Sequence, residues 1–555
     1  MHWTQVYNPA HNLLVSFIVA LIPILFFFWA LAIKKMKGHY AGILTVIISI
    51  LLAIFFYGMP ISLALESTVL GSATGLWPIG WIIVAAVFLF KLTVKAGQFD
   101  IMRTSIASIT KDRRLQALLI AFSFGAFLEG AAGFGTPVAI SGAILYGLGF
   151  NPLYAAGLCL IANTAPVAFG AIGIPVITAG QVAGIDPHLI SQMVGRQLPI
   201  LSVFVPFWLV FIMAGWKRTI EVLPGILVSG ISFAVTQYLT SNFLGPQLPD
   251  ITSAIVSLVA LALFLKVWQP KTIFRFKDEK EPTLSEEIHS KTAASVDAPT
   301  KYTSGQIFKA WSPFIVLIIL ISLWGGSNAV KTLIGHLTVS FPIAGLDNAI
   351  MKAQPIVDKL TPYAAAFKFD ILAATGSAIL ITAIITKFLL SIPWKVWFES
   401  FGETLRELSR PLIMIASVLG LAYIANYSGI SATLGLGFAS TGHFFPFFAP
   451  FLGWLGVFLT GSDTSSNALF ANLQNITGHQ IGVNSTLLVA ANSSGGVTGK
   501  MISPQSIAVA TSATGQVGKE GELLRFTLKH SLLFVVIIGV ITYLEAYVFS
   551  WIIPH

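Results

Sequence analysis

The chain has 555 residues, 55% of them hydrophobic and 10% charged, with a net charge of +9 and one cysteine, Cys159. A charged fraction so far below the roughly 25% of soluble domains excludes a conventional soluble enzyme or binding module, and one cysteine excludes an intramolecular disulfide and a thiolate metal cluster. The excess Lys and Arg lie between apolar runs, where they mark the cytoplasmic side of membrane spans and not a nucleic-acid footprint.

In chain order, residues 13–33 form the first run able to cross a hydrocarbon core, which takes about 20 helical residues. It ends in Lys34, Lys35 and Lys37 without a small-residue cleavage pattern, so it reads as a retained span and not a signal peptide. That basic end belongs in the cytoplasm, which puts the N-terminus outside. Residues 42–57 then lead to a stretch, 58–76, that has no Lys or Arg and reads as an external loop. After the run 78–90 the chain is inside again, at Lys95, Arg103, Lys111, Arg113 and Arg114. Further apolar runs follow at 199–216, 225–239, 254–268, 313–324 and 532–551. The polar stretch 269–309 has the composition of a flexible cytoplasmic linker. Cys159 sits in an apolar helical pattern as a small packing residue.

A nearly constant offset relates the two halves. It carries Met59-Pro60 onto Ile392-Pro393, Glu66-Ser67 onto Glu399-Ser400, Pro78 onto Pro411 and Arg196 onto Lys529. With small gaps, GAFLEG at 125–130 meets GVFLTG at 456–461, Asn163-Thr164 meets Asn492-Ser493, Gly170 meets Gly499 and Pro175 meets Pro504. The basic bias changes sides between the halves. The base-free stretch 58–76 corresponds to 391–410, which carries Lys395, Arg406 and Arg410, whereas the basic stretch 95–114 corresponds to 427–447, which carries none. The expectation is an all-α polytopic membrane protein with about 12 transmembrane helices in two inverted repeats, the arrangement of secondary transporters. Residues 1–220 form the first repeat, 221–268 two connecting spans, 269–309 the linker and 310–555 the second repeat. Both termini are expected outside.

Each repeat contains five spans and one apolar hairpin too short for two full crossings. The hairpins, 115–148 turning around 129–137 and 448–473 turning around 461–467, therefore read as re-entrant, which requires their tips to be buried in protein or to face water. After each comes a run interrupted by Asn, Thr, Ser, Gly and Pro, at 159–175 and 488–504, which reads as a broken helix because Gly and Pro are costly inside helices. Broken helices expose backbone N–H ends that attract anions. Asn163, Thr164, Ser462, Thr464, Ser465, Ser466, Asn467, Asn492, Ser493 and Ser494 supply uncharged groups for a carboxylate and an adjacent hydroxyl. Lys500 is the candidate counter-charge for the substrate carboxylate or for Asp463. Asp463 and Glu129, the two hairpin acids, are the proton-coupling candidates, because desolvation favours the neutral form of a buried carboxylate. The bland alternatives are a snorkelling lysine and carboxylates that cap hairpin turns. Glu545 in the last span would pair with a cation, Arg196 and Lys529 read as interface anchors, and His443 and His479 as exposed loop residues.

Five strings resemble the bacterial L-lactate permeases: GAFLEGAAGFGTPVAI at 125–140, NTAPVAFGAIGIP at 163–175, SNFLGPQLPDI at 241–251, FLTGSDTSSNALF at 458–470 and GGVTGKMISPQSIA at 495–508. The likeness runs from the first span to Trp551. It implies proton-coupled uptake of L-lactate across the bacterial inner membrane, with D-lactate and glycolate as further substrates and no cofactor. The wider superfamily is similar to divalent-anion symporters, whose hairpins and broken helices move against a scaffold. Expected partners are small 2-hydroxy-monocarboxylates, protons and membrane lipid; a homo-oligomer is compatible with the sequence and nucleic acid is not. A glycolate-preferring or sodium-coupled symporter of the same fold is the alternative. A membrane enzyme would need a nucleophile with its base, or a metal string such as HExxH, and neither occurs. A respiratory proton pump would need charged residues centred in successive spans; a channel could share the re-entrant hairpins, but inverted halves with two broken helices favour alternating access.

Overall fold

A computed structural model describes residues 2–133, 135–276, 302–326, 330 and 338–554. Most of the expected linker, 277–301, lies outside the described residues. Among those described, eleven helices are long and apolar enough to cross a membrane. These eleven include Arg113–Ala131 and Gly442–Thr460, the first arms of the two hairpins, and Thr375–Leu389 is a further apolar helix whose 15 residues span about 22 Å.

Burial separates the outer helices from the centre. Only 28% of Ser304–Trp324 and 33% of Leu13–Leu31 is buried, against 100% of Arg113–Ala131. The outer helices turn Leu14, Leu25, Phe55 and Ile319 outward, as lipid-facing surfaces do. The first arm of the first hairpin is therefore enclosed by protein.

Two stretches expected as loops are helical. Residues 58–76 fall mostly within Ile61–Thr74, part of the span Ile61–Lys95, and 391–410 within Trp394–Ser428; both spans have 35 residues. The first reads as a loop because it lies between apolar runs and lacks Lys and Arg, and the second because the offset matches it to the first; Ser and Thr interrupt both. Their hydroxyls are satisfied by the carbonyl one turn back: Ser67 to Leu63 (2.6 Å), Thr68 to Ala64 (2.9 Å), Ser400 to Val396 (2.6 Å) and Thr404 to Ser400 (2.7 Å). With that bond made within the helix, the hydroxyl costs little in an apolar setting.

The element order recurs. A hairpin (Arg113–Ala131 and Thr136–Gly147), a broken helix (Pro152–Ala162 and Ile174–Ala183) and a long helix (Pro187–Ala214) are followed later by Gly442–Thr460 and Asp463–Ile481, Ser485–Lys500 and Pro504–Ala513, and Glu520–Tyr547. Segments assigned to one side by charge also meet one another. Lys91 and Lys95 reach Glu403 (3.4 and 2.7 Å), and Lys91 also reaches Glu407 (2.6 Å). At the N-terminus, Gln5 donates to the carbonyls of Asn426 (2.9 Å) and Tyr427 (2.8 Å).

The all-helical expectation misses five short strands. Trp3–Thr4 pairs in parallel with Ile350–Lys352, which pairs antiparallel with Thr361–Pro362, and Thr338–Pro342 pairs antiparallel with Ala366–Asp370. They tie the first residues of the chain to the segment between Ser304–Gly326 and Thr375–Leu389. Strands of two to five residues leave too little alternation to read in sequence.

At the basic end of the first hairpin, Arg114 is fully buried and donates to Asp112 (2.7 Å), Glu221 (2.8 Å) and the carbonyls of Arg218 and Thr272 (2.8 Å each). Asp112 also accepts from the Phe274 N–H (3.0 Å). One ion cluster thus pins the hairpin to two interhelical connections.

Candidate functional site

The two hairpin tips differ from their expected shape. The arms of the first end at Ala131 and resume at Thr136, inside the expected interval. The second turns over Gly461 and Ser462 alone, and Asp463 already begins helix Asp463–Ile481. Gly461 has φ +72, a left-handed conformation that glycine adopts without steric cost and that allows so short a turn. Ser462 caps the helix, accepting from the Ser465 N–H at 3.3 Å.

The breaks also differ from each other. The first covers 163–173, with buried Ile172 in the left-handed region at φ +50. The second is only Met501–Ser503, because Ser485–Lys500 stays helical through Asn492, Ser493, Ser494 and the neighbouring glycines. Those glycines serve close packing and not a break. A Cβ on Gly495 would lie 2.1 Å from the Pro450 carbonyl oxygen and one on Gly499 2.2 Å from that of Trp454, while one on Gly453 would lie 1.8 Å from that of Asn492. Small residues let Gly442–Thr460 and Ser485–Lys500 approach backbone to backbone, as membrane helices do.

Tips and breaks converge on a cavity of about 420 Å³. Four helices begin at its wall: Thr136–Gly147 after Gly135, Ile174–Ala183, Asp463–Ile481 after Ser462, and Pro504–Ala513. Each start carries N–H groups without intrahelical acceptors and a partial positive charge. The cavity is thus polarised for a small anion before any charged side chain is counted.

Charged groups complete the wall. Lys500 Nζ donates to Glu129 Oε1 at 2.8 Å, and Asn163 Nδ2 donates to Glu129 Oε2 at 3.1 Å. The partner of Lys500 is therefore Glu129 and not Asp463, which corrects one reading of that lysine. Asp463 Oδ2 accepts from Ser493 (2.6 Å) and Asn467 (3.2 Å), while Oδ1 has no hydrogen-bond partner among the described residues. Asn467 also donates to the Pro175 carbonyl (3.1 Å) and accepts from Asn492 (2.9 Å), linking the second hairpin to both broken helices.

Of the sequence-derived candidates, Glu129, Ser462, Asp463, Thr464, Ser465 and Lys500 line the cavity. Asn163 and Ser493 lie behind them as hydrogen-bond partners of Glu129 and Asp463, and Asn492 lies one bond further back, donating to Asn467. Thr164 turns back to the Ile161 carbonyl (2.7 Å), and Ser494 faces away, donating to Gln197 Oε1 (2.7 Å). Gln197 in turn donates to Glu545 Oε2 (2.6 Å), so Glu545 pairs with an amide and not with a cation. Arg196 bonds Asn242 (3.0 Å) and the Ile552 carbonyl, Lys529 lies over the Phe526 ring (6.0 Å), and neither lines the cavity. Cys159 is buried, and His443 and His479 are exposed.

Two residues were missed. Arg410 lines the cavity, exposed and with no ion-pair or hydrogen-bond partner among the described residues; in sequence it reads as one of the bases that mark the cytoplasmic side. Asp250 is buried near Glu129 and Lys500. An acid opening an apolar span was its signal. No three His, Cys, Asp or Glu side chains among the described residues form a metal site.

The chain is similar to known permeases. A family model described as L-lactate permease matches residues 16–549. The chain is 57% identical to an L-lactate permease of Bacillus subtilis, covering 100% of both chains. It is 59% identical to the glycolate permease GlcA of Escherichia coli, covering 99% of both. Among solved structures, MtrF of Neisseria gonorrhoeae, from a class of antimetabolite efflux pumps, aligns with a TM-score of 0.50 at 12% identity, covering 91% of this chain and 95% of that one. That likeness concerns the fold alone.

Proposed function

The chain belongs to the L-lactate permease family, which makes it a multi-pass membrane transporter, and on that premise we propose that it takes up L-lactate and related 2-hydroxy-monocarboxylates across the bacterial inner membrane together with protons. The lactate and glycolate permeases that it resembles are almost equally similar to it. Their named substrates share a carboxylate with a hydroxyl on the next carbon, and that pair is the chemistry to be recognised. The observation that carries the reading is the cavity where four helix starts surround one ammonium already paired with a carboxylate.

In the resting arrangement Glu129 neutralises Lys500. A proton on a carboxylate near Lys500, with Glu129 the candidate in the wall itself, lowers the negative charge that faces a substrate carboxylate, so that anion and proton enter together. Ser462, Thr464 and Ser465 stand at the start of helix Asp463–Ile481 to receive the carboxylate and the 2-hydroxyl. Asn163 and Ser493 hold Glu129 and Asp463 in place from behind. Asp463, with one free oxygen, is the second proton candidate. The cavity also reaches Gly38, His39 and Arg410, beside segments whose charge assigns them to the cytoplasm, which supports an inward-facing state. The recurring element order supports two halves, and the reversed charge bias supports their inversion.

Uptake of L-[14C]lactate into proteoliposomes tests the reading, with a proton gradient and a sodium gradient imposed separately. Accumulation driven by protons alone, with competition by D-lactate and glycolate, is the expected result. Accumulation that requires sodium would assign the free Asp463 oxygen and its hydroxyl neighbours to a cation. No accumulation under either gradient would refute the substrate.

A further inference from the structure

Helix Pro249–Val267 opens beside the first hairpin, and its second residue is Asp250. The side chain is 2% exposed, and neither carboxylate oxygen has a hydrogen-bond partner among the described residues. A Cβ on Gly130 would lie 2.9 Å from the Asp250 Cβ, so the acid packs against the residue next to Glu129. Glu129 and Lys500 line the cavity and Asp250 does not; it stands behind them, away from the substrate.

The charges around it are few. Glu129 and Lys500 are the charged groups whose fields reach Asp250. Of the helices packed against Pro249–Val267, Leu223–Phe243 carries Tyr238, which is exposed, residues 117–124 carry no titratable group, and Gly125–Ala131 brings Glu129. Two carboxylates thus lie in the field of one ammonium, and that ammonium is bonded to Glu129 alone among the described residues. Were both acids ionised, a net negative charge would be buried next to an anion site, without hydrogen bonds to Asp250. The helix start favours a negative charge at Asp250, but only weakly beside the cost of an unpaired buried ion.

We propose that Asp250 holds the translocated proton, as the second carboxylate sharing Lys500 with Glu129 and lying behind the cavity wall. This rests on the proton-coupled reading above and deepens it. A proton taken from the outer solution by the Asp250 carboxylate makes the trio neutral and admits the substrate anion. After the anion leaves to the cytoplasm the proton follows, and ionised Asp250 then competes with Glu129 for Lys500. The Lys500–Glu129 bond is thereby weakened only in the unloaded state.

The test is L-lactate affinity of the purified full-length protein against pH, read together with proton-driven accumulation in proteoliposomes, for wild type, Asp250→Asn and Asp250→Glu. In wild type, affinity tightens on acidification by up to about tenfold per pH unit, as binding coupled to one proton requires. In Asp250→Asn, which mimics the protonated acid, affinity becomes independent of pH and proton-driven accumulation is lost while counterflow exchange persists. A wild-type slope and wild-type accumulation in Asp250→Asn would overturn the assignment and return the proton to Glu129 or Asp463. If Asp250→Asn does not fold, Asp250→Glu decides: a displaced pH midpoint supports the assignment, and an unmoved one overturns it. Wild-type affinity and accumulation that ignore pH would instead refute proton coupling itself, and this inference with it.

Discussion

Replacing either partner of the Lys500–Glu129 pair separates its electrostatic worth from its role in transport. Lys500 donates to Glu129 at 2.8 Å, and the side chains are 10% and 4% exposed. Removing one partner of such a buried pair costs about 3–5 kcal/mol, because the other charge is left unpaired. The two losses should not be equal. In Lys500→Met, Glu129 keeps the Asn163 donor, which places the loss near the lower end. In Glu129→Leu the ammonium keeps no partner among the described residues, which places it near the upper end. The double variant exchanges the ion pair for two apolar side chains, often neutral or stabilising, against about 1–3 kcal/mol for the Asn163 donor left unsatisfied. It should therefore melt near wild type. Thermal melting of the detergent-solubilised variants reads this. None of the three should accumulate lactate. Single variants as stable as wild type, or a double variant no better than the worse single one, would refute the pairing argument.

Gly453→Ala should part the helices Gly442–Thr460 and Ser485–Lys500, since its Cβ would lie 1.8 Å from the Asn492 oxygen where about 3.3 Å is a normal contact. The expected cost is about 1–3 kcal/mol or more together with loss of uptake, whereas Gly402→Ala, in open space, should melt and transport as wild type. Arg410→Gln should raise the lactate KM more than it lowers kcat and reduce the salt dependence of uptake, because a free exposed cation acts by attraction; an unchanged KM would remove Arg410 from the substrate path. Arg114→Met should destabilise by about 3–5 kcal/mol by leaving Asp112 buried and unpaired. Hydrogen bonding from Arg114 holds the Glu221 carboxyl below its ordinary range. That contribution is present above the ordinary carboxylate range and is lost as pH falls through the lowered value. The melting difference between wild type and Glu221→Gln should accordingly shrink on acidification.

Much of the site was legible because membrane burial makes polar residues expensive. Glu129, Asp463 and Lys500 stood out as charges within otherwise apolar strings, and all three line the cavity. The glycines of 495–499 misled for a physical reason: a glycine needed to seat a neighbouring backbone looks in sequence like one that breaks a helix, and only the nearby Pro450 and Trp454 carbonyls distinguish the two. Asp250 escaped notice because its significance comes from proximity to residues far away in the chain. Glu545 was matched with a cation on charge alone, whereas its partner is the amide of Gln197.

The sequence by itself determined the membrane class, the family-bearing strings and the places where a polar group would have to be justified, because these follow from apolar run length and from the cost of a polar group in hydrocarbon. It also carried the recurrence of the halves, as offset matches and a reversed charge bias. The tertiary structure alone decided which charges pair and which helix starts face the cavity. It also decided which candidates touch that space and which brace it from behind. Those outcomes depend on distances of about 3 Å between residues hundreds of positions apart, such as Lys500 and Glu129, and no local pattern encodes them.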